Sequence, residues 1–268
     1  MRSILHLSDI HFGPRHRPDA AEAALALAAE RRPSLVVLSG DHTQRAKPSQ
    51  FRAARAFADR FESPVLAIPG NHDVPLYRVW ERVFAPFGAY RRHFARDLEP
   101  EFEDDELLVV SVNTAFAWTL KDGRFLHRRL AAVAARLAAT PRRVCRVAVV
   151  HHELVPAPGW DLRTARDAWA ASEAFAAAGV ELALAGHRHV SFLAFSRPEV
   201  ACEAGRRFPI LHAGTSCSSR GRGAERGRNS LNWIEVGERE LTLETWLLDP
   251  ASRRFRPAAT RRLARAAS

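Results

Sequence analysis

The chain has 268 residues, of which 47% are hydrophobic and 26% are charged, a composition typical of a globular protein rather than a disordered one. This length allows a single α/β domain with a substantial core. The net charge of +10, which comes from an arginine-rich composition, predicts an affinity for anionic substrates or for nucleic acid.

Short apolar runs alternate with alanine-rich segments over the first two thirds of the chain. The apolar runs lack polar alternation, which is typical of strands buried on both faces of a parallel sheet. The alanine-rich segments predict helices at residues 19–32, 48–61, 126–139 and 164–178, with Asp19 and Ser49 as N-caps. This alternation predicts βαβ units with right-handed crossovers.

The last third has a different pattern. Residues 200–211, 230–236 and 241–248 predict strands with no helix between them, and therefore a second, more antiparallel sheet packed on the first. Residues 253–265 carry six arginines and no acidic residue, which indicates a loose, solvated tail. We therefore expect one folded domain at residues 1–249 and a basic tail at residues 250–268.

The number and spacing of the cysteines indicate the redox environment of the protein. Cys145, Cys202 and Cys217 form no C-x-x-C pair, which argues against a disulfide framework and fits a reducing environment. The first apolar run is interrupted by polar residues, unlike a secretory signal, and no apolar segment approaches the ~20 residues that span a bilayer. We expect a cytoplasmic protein that has no membrane partner.

Several apolar runs end at residues that bind metal ions. Ligands of open α/β sheets gather outside the carboxyl ends of the strands, so such residues can share one site although they are distant in sequence. The order is D-x-H, G-D, G-N-H-D, H and G-H-x-H, and the predicted metal ligands are Asp9, His11, Asp41, Asn71, His151, His187 and His189.

The types of ligand restrict the metal and the chemistry. Carboxylate, amide and imidazole donors without a thiolate fit Mn, Fe, Zn, Co or Ni better than Ca or Mg, and the sequence does not choose among these. Two such ions ~3.5–4 Å apart bind both non-bridging oxygens of a phosphate and lower the pKa of a shared water. The pattern therefore predicts a two-metal phosphoesterase.

These motifs resemble those of calcineurin-like metallophosphoesterases over residues 6–189 and, more loosely, at residues 213–216. Within that superfamily the chain is most similar to the bacterial class III cyclic nucleotide phosphodiesterases. The resemblance implies a four-layer αββα sandwich, in which two mixed β-sheets are flanked by helices. It also implies that one ion is held by Asp9, His11, Asp41 and His189, and the other by Asp41, Asn71, His151 and His187.

Two residues next to Asn71 are the predicted catalytic pair. The resemblance gives His72 the role of contacting phosphate or protonating the leaving group. Asp73 could orient and charge that imidazole, as a third group holds a base in other enzymes. The alternative is that Asp73 caps the segment that follows it.

Other polar residues depart from the family pattern or lie outside it. His42 stands where related enzymes usually have a hydrophobic residue. His152 and Glu153 follow His151, where prolines are usual beyond the second histidine, and they either line a different substrate pocket or are exposed loop residues. His6 is expected to be a core histidine with its hydrogen bonds satisfied, and His212 a residue near the ligands.

The predicted function is hydrolysis of a small anionic phosphodiester by a hydroxide shared between two ions, with a 3′,5′-cyclic nucleotide as the leading substrate. Within the same fold, a glycerophosphodiesterase remains open, and a nuclease fits the charge but lacks a separate module to hold a duplex. A pyrophosphatase of lipid precursors usually has arginine in place of His72 and an apolar entrance, and the sequence shows neither. A scaffold that has lost its metals is disfavoured because every expected ligand position is filled. The sequence does not give the oligomeric state.

Overall fold

A computed structural model describes residues 1–157, 163–200 and 207–265. The helices are α1 Pro18–Arg31, α2 Pro48–Ala58, α3 Val79–Phe84, α4 Gly88–His93, α5 His127–Ala138 and α6 Ala168–Ala177. The strands are β1 Arg2–Leu7, β2 Leu35–Leu38, β3 Val65–Ala67, β4 Phe102–Glu103, β5 Leu107–Ser111, β6 Cys145–Val149, β7 Leu182–Ala185, β8 Phe192–Phe195, β9 Pro209–His212, β10 Ser230–Val236, β11 Glu240–Asp249 and β12 Arg254–Ala264.

The strands form two mixed sheets of six strands each, in the orders β12-β11-β10-β1-β2-β3 and β4-β5-β6-β7-β9-β8. β1, β2 and β3 are parallel in the first sheet, and β5, β6, β7 and β9 are parallel in the second. The predicted βαβ units are confirmed. Each sheet therefore has one edge at which several carboxyl ends meet.

Neighbouring residues of one strand face different layers, as the twofold repeat of a strand requires. In β1, Ile4 packs between the two sheets, whereas Leu5 and Leu7 pack against α1 and α2. A third cluster joins the second sheet to α5 and α6. The predicted four-layer αββα sandwich is confirmed.

The predicted helices form, but two of their N-caps are wrong. α1 begins at Pro18 and α2 at Pro48, so Asp19 and Ser49 lie inside the first turn. Proline suits the first helical position because its fixed φ is already helical and its missing N–H has no partner there. Proline, and not the polar residue after it, marks these helix starts.

The last third does not form a separate antiparallel sheet. β9 inserts between β7 and β8 in the second sheet, and β10 pairs with β1 in the first. Part of the predicted strand at residues 200–211 lies outside the described residues. The local sequence predicts strands but does not identify their partners, because pairing is set by contacts distant in sequence.

The expected loose tail is also wrong. β12 pairs with β11 from Arg254 to Ala264 and forms the edge of the first sheet. Most of its side chains are exposed, while Phe255 is buried. Arginines on an edge strand keep it from pairing with another chain, so the charges that suggest a frayed end also suit an edge. The boundary at residue 249 remains a prediction about which residues catalysis needs.

Two of the three cysteines lie in the described part of the chain. Cys145 and Cys217 are buried and free, and Cys202 lies outside the described residues. In the part of the chain that the structure describes, no helix is long and apolar enough to cross a membrane.

Candidate active site

The predicted ligands lie in loops that follow strands of both sheets. Asp9 and His11 follow β1, Asp41 follows β2, and Asn71 begins a short 3₁₀ turn after β3. His151 follows β6 in the second sheet, and the G-H-x-H pair at residues 187 and 189 follows β7. The ligands therefore follow the carboxyl ends of strands from both sheets.

One group of ligands forms a compact cluster. His189 Nε2 lies 3.2 Å from Asp9 Oδ1, and His11 Nε2 lies 3.5 Å from the same oxygen. His11 Nε2 is also 3.6 Å from Asp41 Oδ2. All four residues offer donor atoms within 4.8 Å of one another. This is the set that the family resemblance assigns to the first ion.

Asp41 connects this cluster to a second one. Its Oδ2 faces His11, while its Oδ1 lies 3.4 Å from His151 Nε2. The second cluster of donor atoms within 4.8 Å consists of His151, His152 and His187. Because its two oxygens face different clusters, Asp41 is placed to bridge two ions.

An independent sign of metal binding comes from buried atoms that have no hydrogen-bond partner within the described chain. Buried polar atoms are rarely left without a partner, because desolvation costs ~1–3 kcal/mol each. Every predicted ligand has one such atom: Asp9 Oδ1, His11 Nε2, Asp41 Oδ2, Asn71 Oδ1, His151 Nε2, His187 Nδ1 and His189 Nδ1. The donors therefore fit two divalent cations.

Main-chain carbonyls orient two of the imidazoles. His151 Nδ1 donates to the carbonyl of Ser39 at 2.7 Å, and His11 Nδ1 donates to that of Thr43 at 3.4 Å. A carbonyl can only accept, so Nδ1 carries a proton, and Nε2 is the nitrogen that faces the carboxylates and can bind an ion. Metal-binding histidines are commonly fixed in this way.

The backbone at the site is unusual. Five of the predicted ligands have φ between 50° and 73°, a left-handed backbone conformation that residues other than glycine seldom adopt. They are Asp9, His11, Asp41, His187 and His189. Such conformations concentrate at functional sites, where the surrounding structure enforces them.

Two glycines permit the close approach of the loops. A Cβ at Gly70 would lie 2.2 Å from Asp41 Oδ1, and one at Gly40 would lie 2.5 Å from His151 Nδ1. Gly40 also has a φ of 107°. Neither position has room for a side chain, so the glycines of the G-D and G-N-H-D motifs serve packing around Asp41.

The electrostatics favour positive charge between the carboxylates. Burial lowers the pKa of His151, but Asp41 and Asp9 outweigh burial and raise that pKa to about 9. Burial raises the pKa of Asp41, but His151 and His72 outweigh it and hold the pKa well below its usual range. Burial likewise raises the pKa of Asp9, but His189 and His11 outweigh it and hold the pKa below its usual range. Both carboxylates therefore favour a bound cation.

His72 stands beside the metal ligands, as predicted. Its Nδ1 donates to the carbonyl of Gln44 at 3.0 Å, and its ring meets that of His11 edge to face with centroids 4.8 Å apart. Burial lowers its pKa, and the charge of Arg220 contributes in the same direction. His72 is therefore held in one orientation with Nε2 available to a substrate.

The prediction that Asp73 orients His72 is wrong. Its carboxylate accepts main-chain hydrogen bonds from His42 at 3.1 Å, Thr43 at 2.9 Å and Gly70 at 2.9 Å. The carbonyl of Gln44, not Asp73, holds the imidazole. Asp73 instead ties the loop after β2 to the loop after β3. It also does not cap the segment that follows it, because its bonds reach backwards in sequence.

The side chain of His42 contacts residues other than the predicted ligands. Its Nε2 donates to the carbonyl of Ile68 at 2.8 Å, and its ring packs against Phe94 with centroids 4.4 Å apart. A histidine is tolerated at this usually hydrophobic position because a main-chain acceptor and an aromatic neighbour are both available.

His152 and Glu153 are buried, so the prediction that they are exposed loop residues is wrong. The ring of His152 packs 4.6 Å from that of His187, and its Nδ1 lies 2.7 Å from Thr114 Oγ1. Glu153 forms an ion pair with Arg188. Burial raises the pKa of Glu153 to about 7, although Arg188 acts in the opposite direction. His152 thus packs directly against the ligand His187, and a contact of either residue with a substrate stays a prediction.

Two further histidines, His6 and His212, have structural roles. His6 is buried between Ser39 Oγ at 2.8 Å and Asn232 Nδ2 at 3.3 Å, which confirms it as a satisfied core histidine. His212 Nδ1 donates at 3.3 Å to the carbonyl of Gly186, next to a ligand. His212 thus steadies the G-H-x-H loop.

Sequence reasoning missed the polar partners of these loops. Thr215 Oγ1 donates to the main-chain carbonyl of Asp9 at 2.7 Å, and Ser216 Oγ accepts from the N–H of Ser8 at 3.1 Å. Thr114 supports His152, and Arg188 supports Glu153. In the sequence, only the loose resemblance at residues 213–216 indicated a role for Thr215 and Ser216.

Fold and site together define a hydrolase with a dinuclear centre for divalent metal ions. The sequence profile of the calcineurin-like phosphoesterases matches residues 2–191. The chain belongs to this family, and it is a metal-dependent phosphoester hydrolase. A comparison with curated protein sequences finds no match.

Solved structures with the same fold are distant in sequence. A dimetal phosphatase from Danio rerio has a TM-score of 0.71 at 11% identity, with 99% of each chain covered. The purple acid phosphatase PPD1 of yellow lupin (Lupinus luteus) has a TM-score of 0.73 at 11% identity. That match covers 97% of this chain but only 53% of the lupin enzyme. GAP50, the anchor in the inner membrane complex of Plasmodium, has a TM-score of 0.67 at 11% identity, over 99% of this chain and 89% of its own. At this identity the likeness shows the fold alone.

Proposed function

We propose that this protein is a dinuclear metal-dependent phosphodiesterase that hydrolyses a small phosphodiester, with a 3′,5′-cyclic nucleotide as the leading substrate. The ligands are Asp9, His11, Asp41 and His189 for one ion, and Asp41, Asn71, His151 and His187 for the other. Bound divalent ions act as Lewis acids on phosphoryl oxygens and lower the pKa of water.

The position of His72 is the observation that carries the proposal. Its main-chain N–H donates to Asp41 Oδ1 at 2.8 Å, so His72 is held next to the carboxylate that would bridge the two ions. Gln44 accepts from Nδ1–H, so Nε2 is the nitrogen left to face the substrate. It gives a proton to a departing ester oxygen from the imidazolium form of the ring, which burial opposes and the charge of Asp41 favours. A diester that releases an alkoxide depends on such a proton, which is the general acid role.

Arg220 supports an anionic substrate. Its side chain has no hydrogen bond or ion pair to any described residue, and burial lowers its pKa while Asp41 and Asp9 raise it. Its charge contributes to lowering the pKa of both His72 and His189, the two residues whose rings flank His11 in the first cluster. A partly buried guanidinium without a protein partner favours a bound phosphate or carboxylate.

We also propose a cytoplasmic location, which the free thiols of Cys145 and Cys217 support. A nuclease remains a weaker candidate. The net charge of +10 favours it, but the described chain is one sandwich that leaves no separate module for a duplex.

The test is a comparison of kcat/KM under identical metal loading. The substrates are cyclic AMP, a 2′,3′-cyclic nucleotide, a glycerophosphodiester and a phosphomonoester. We expect cyclic AMP to be the best of the four. Preference for the monoester overturns the phosphodiesterase assignment, whereas preference for the glycerophosphodiester keeps the mechanism and removes the cyclic nucleotide.

A further inference from the structure

A group of large apolar side chains is exposed beside the active site. In the described chain, Tyr77, Val79, Trp80, Phe84, Trp118 and Leu120 are 60% to 77% exposed. We call this group the aromatic ledge. Scattered apolar residues on a surface are normal, but a cluster of this kind marks an interaction site.

The ledge is one built surface, although two separate segments supply it. The buried guanidinium of Arg82 donates to the carbonyl of Pro75 at 2.8 Å and to that of Thr119 at 2.6 Å. It thereby joins α3 to the loop at residues 116–120. Trp80 and Phe84 stack with ring centroids 5.9 Å apart. The apolar side chains are therefore held in the exposed position.

The ledge begins at the catalytic pocket. Arg45 Nη1 lies 3.4 Å from His72 Nδ1, and the same guanidinium lies 5.6 Å from the centre of the Tyr77 ring. The other segment leads to Gly123, where a Cβ would lie 2.3 Å from the ring of His152. Both segments thus connect the ledge to residues that line the site.

The composition of the ledge and its surroundings identifies what covers it. Tryptophan and tyrosine are the residues enriched where a protein meets the headgroup region of a bilayer. The half-buried Arg45 borders the ledge on one side and the exposed Lys121 follows Leu120 on the other. The chain as a whole carries +10, which attracts anionic lipid headgroups. A second copy of the chain would bring the same positive charge and is disfavoured.

We propose that the aromatic ledge docks on the surface of an anionic lipid bilayer and thereby holds the active site at the membrane–water interface. The protein would be peripheral, in agreement with the absence of a described helix that could span a membrane. The proposal runs against the expectation that the protein has no membrane partner.

The test is cosedimentation with vesicles of phosphatidylcholine alone or mixed with phosphatidylglycerol. We expect the wild-type protein to bind the mixed vesicles and to bind neutral vesicles less. The double variant W80S/W118S should bind mixed vesicles at least about tenfold more weakly, because two large apolar contacts are lost. Both side chains are exposed, so the fold should persist, which a thermal melt checks.

Trp169 provides a matched control. It is 43% exposed on α6, outside the ledge, so W169S should bind like the wild type. Failure of the wild type to bind mixed vesicles overturns the proposal, as does an equal loss in W169S. Dimerisation that W80S/W118S abolishes, without vesicle binding, would show that a second copy covers the ledge and also overturns it. Binding is measured without substrate, so the result is independent of the proposed phosphodiesterase activity.

Discussion

The two ends of strand β7 use buried charge in opposite ways. Before the strand, Glu181 accepts two hydrogen bonds from Arg265, each 3.0 Å long, and both side chains are almost fully buried. After the strand, His187 and His189 keep buried nitrogens that have no protein partner within the described chain. A buried charge is tolerated when every partner is in place and becomes costly when one partner is removed, whereas a buried ligating atom without a partner indicates a bound ion.

The largest effect should follow from changing the bridge between the two clusters. Asp41→Asn removes the charge that both ions share, so hydrolysis of a chromogenic phosphodiester should fall by more than about 10⁴-fold. Asp19→Asn, which alters a partly exposed carboxylate in α1, is the control and should retain activity. Near wild-type turnover in Asp41→Asn would show that buried atoms without a protein partner do not indicate bound metal ions at this site. The contrast between the two ends of β7 rests on the same argument and would then fail.

Removing His72 should discriminate between leaving groups. His72→Ala should slow a cyclic nucleotide by about 10²–10⁴-fold, because an alkoxide needs a proton to leave. A nitrophenyl diester, whose leaving group is stable without a proton, should lose much less. Equal losses for both substrates would assign His72 to phosphate binding and remove the general acid.

The amino end of β7 should respond in stability rather than in activity. Arg265→Ala leaves Glu181 buried without its partner, and we expect the free energy of unfolding to fall by about 3–5 kcal/mol. Denaturant unfolding measures this, with the exposed Arg261→Ala as control. Unchanged stability would mean that the ion pair between Arg265 and Glu181 contributes little to the fold.

Asp73 tests whether a paired carboxylate inside the site behaves like Glu181. Asp73→Asn weakens charge-assisted hydrogen bonds from three main-chain N–H groups, so the free energy of unfolding should fall by about 1.5–3 kcal/mol. Any loss of activity should be the same for the cyclic nucleotide and the nitrophenyl diester. A larger loss for the cyclic nucleotide would restore the prediction that Asp73 assists His72.

The sequence predicts the metal ligands because one local rule covers them. A buried strand followed by a metal-binding side chain places that side chain at the carboxyl edge, whichever strands become neighbours. The orientation of His72 does not follow from such a rule, because its hydrogen bond goes to the main chain of Gln44, on a different loop. The residue types do not show where a main-chain carbonyl will lie. The sequence therefore suggests Asp73 as the partner of His72, and in the structure Asp73 is not that partner.

The pairing of the last strands is unpredictable for a similar reason. The arginines of residues 253–265 are compatible with both a loose end and an edge strand, and the free edge of β11 decides between them. The exposed position of the ledge is not predictable from the sequence, because Tyr77, Trp80 and Trp118 are large apolar residues of the kind that cores also contain. Exposure depends on how the whole chain packs.

Metal stoichiometry tests the central claim most directly. The wild-type protein and Asp41→Asn are stripped with a chelator, reloaded with one divalent transition metal, and assayed for bound metal by mass spectrometry. The account predicts two ions per wild-type chain, recovery of phosphodiester hydrolysis on reloading, and fewer ions in Asp41→Asn. A wild-type chain that binds no metal, or that hydrolyses the diester equally well after chelation, would contradict the account.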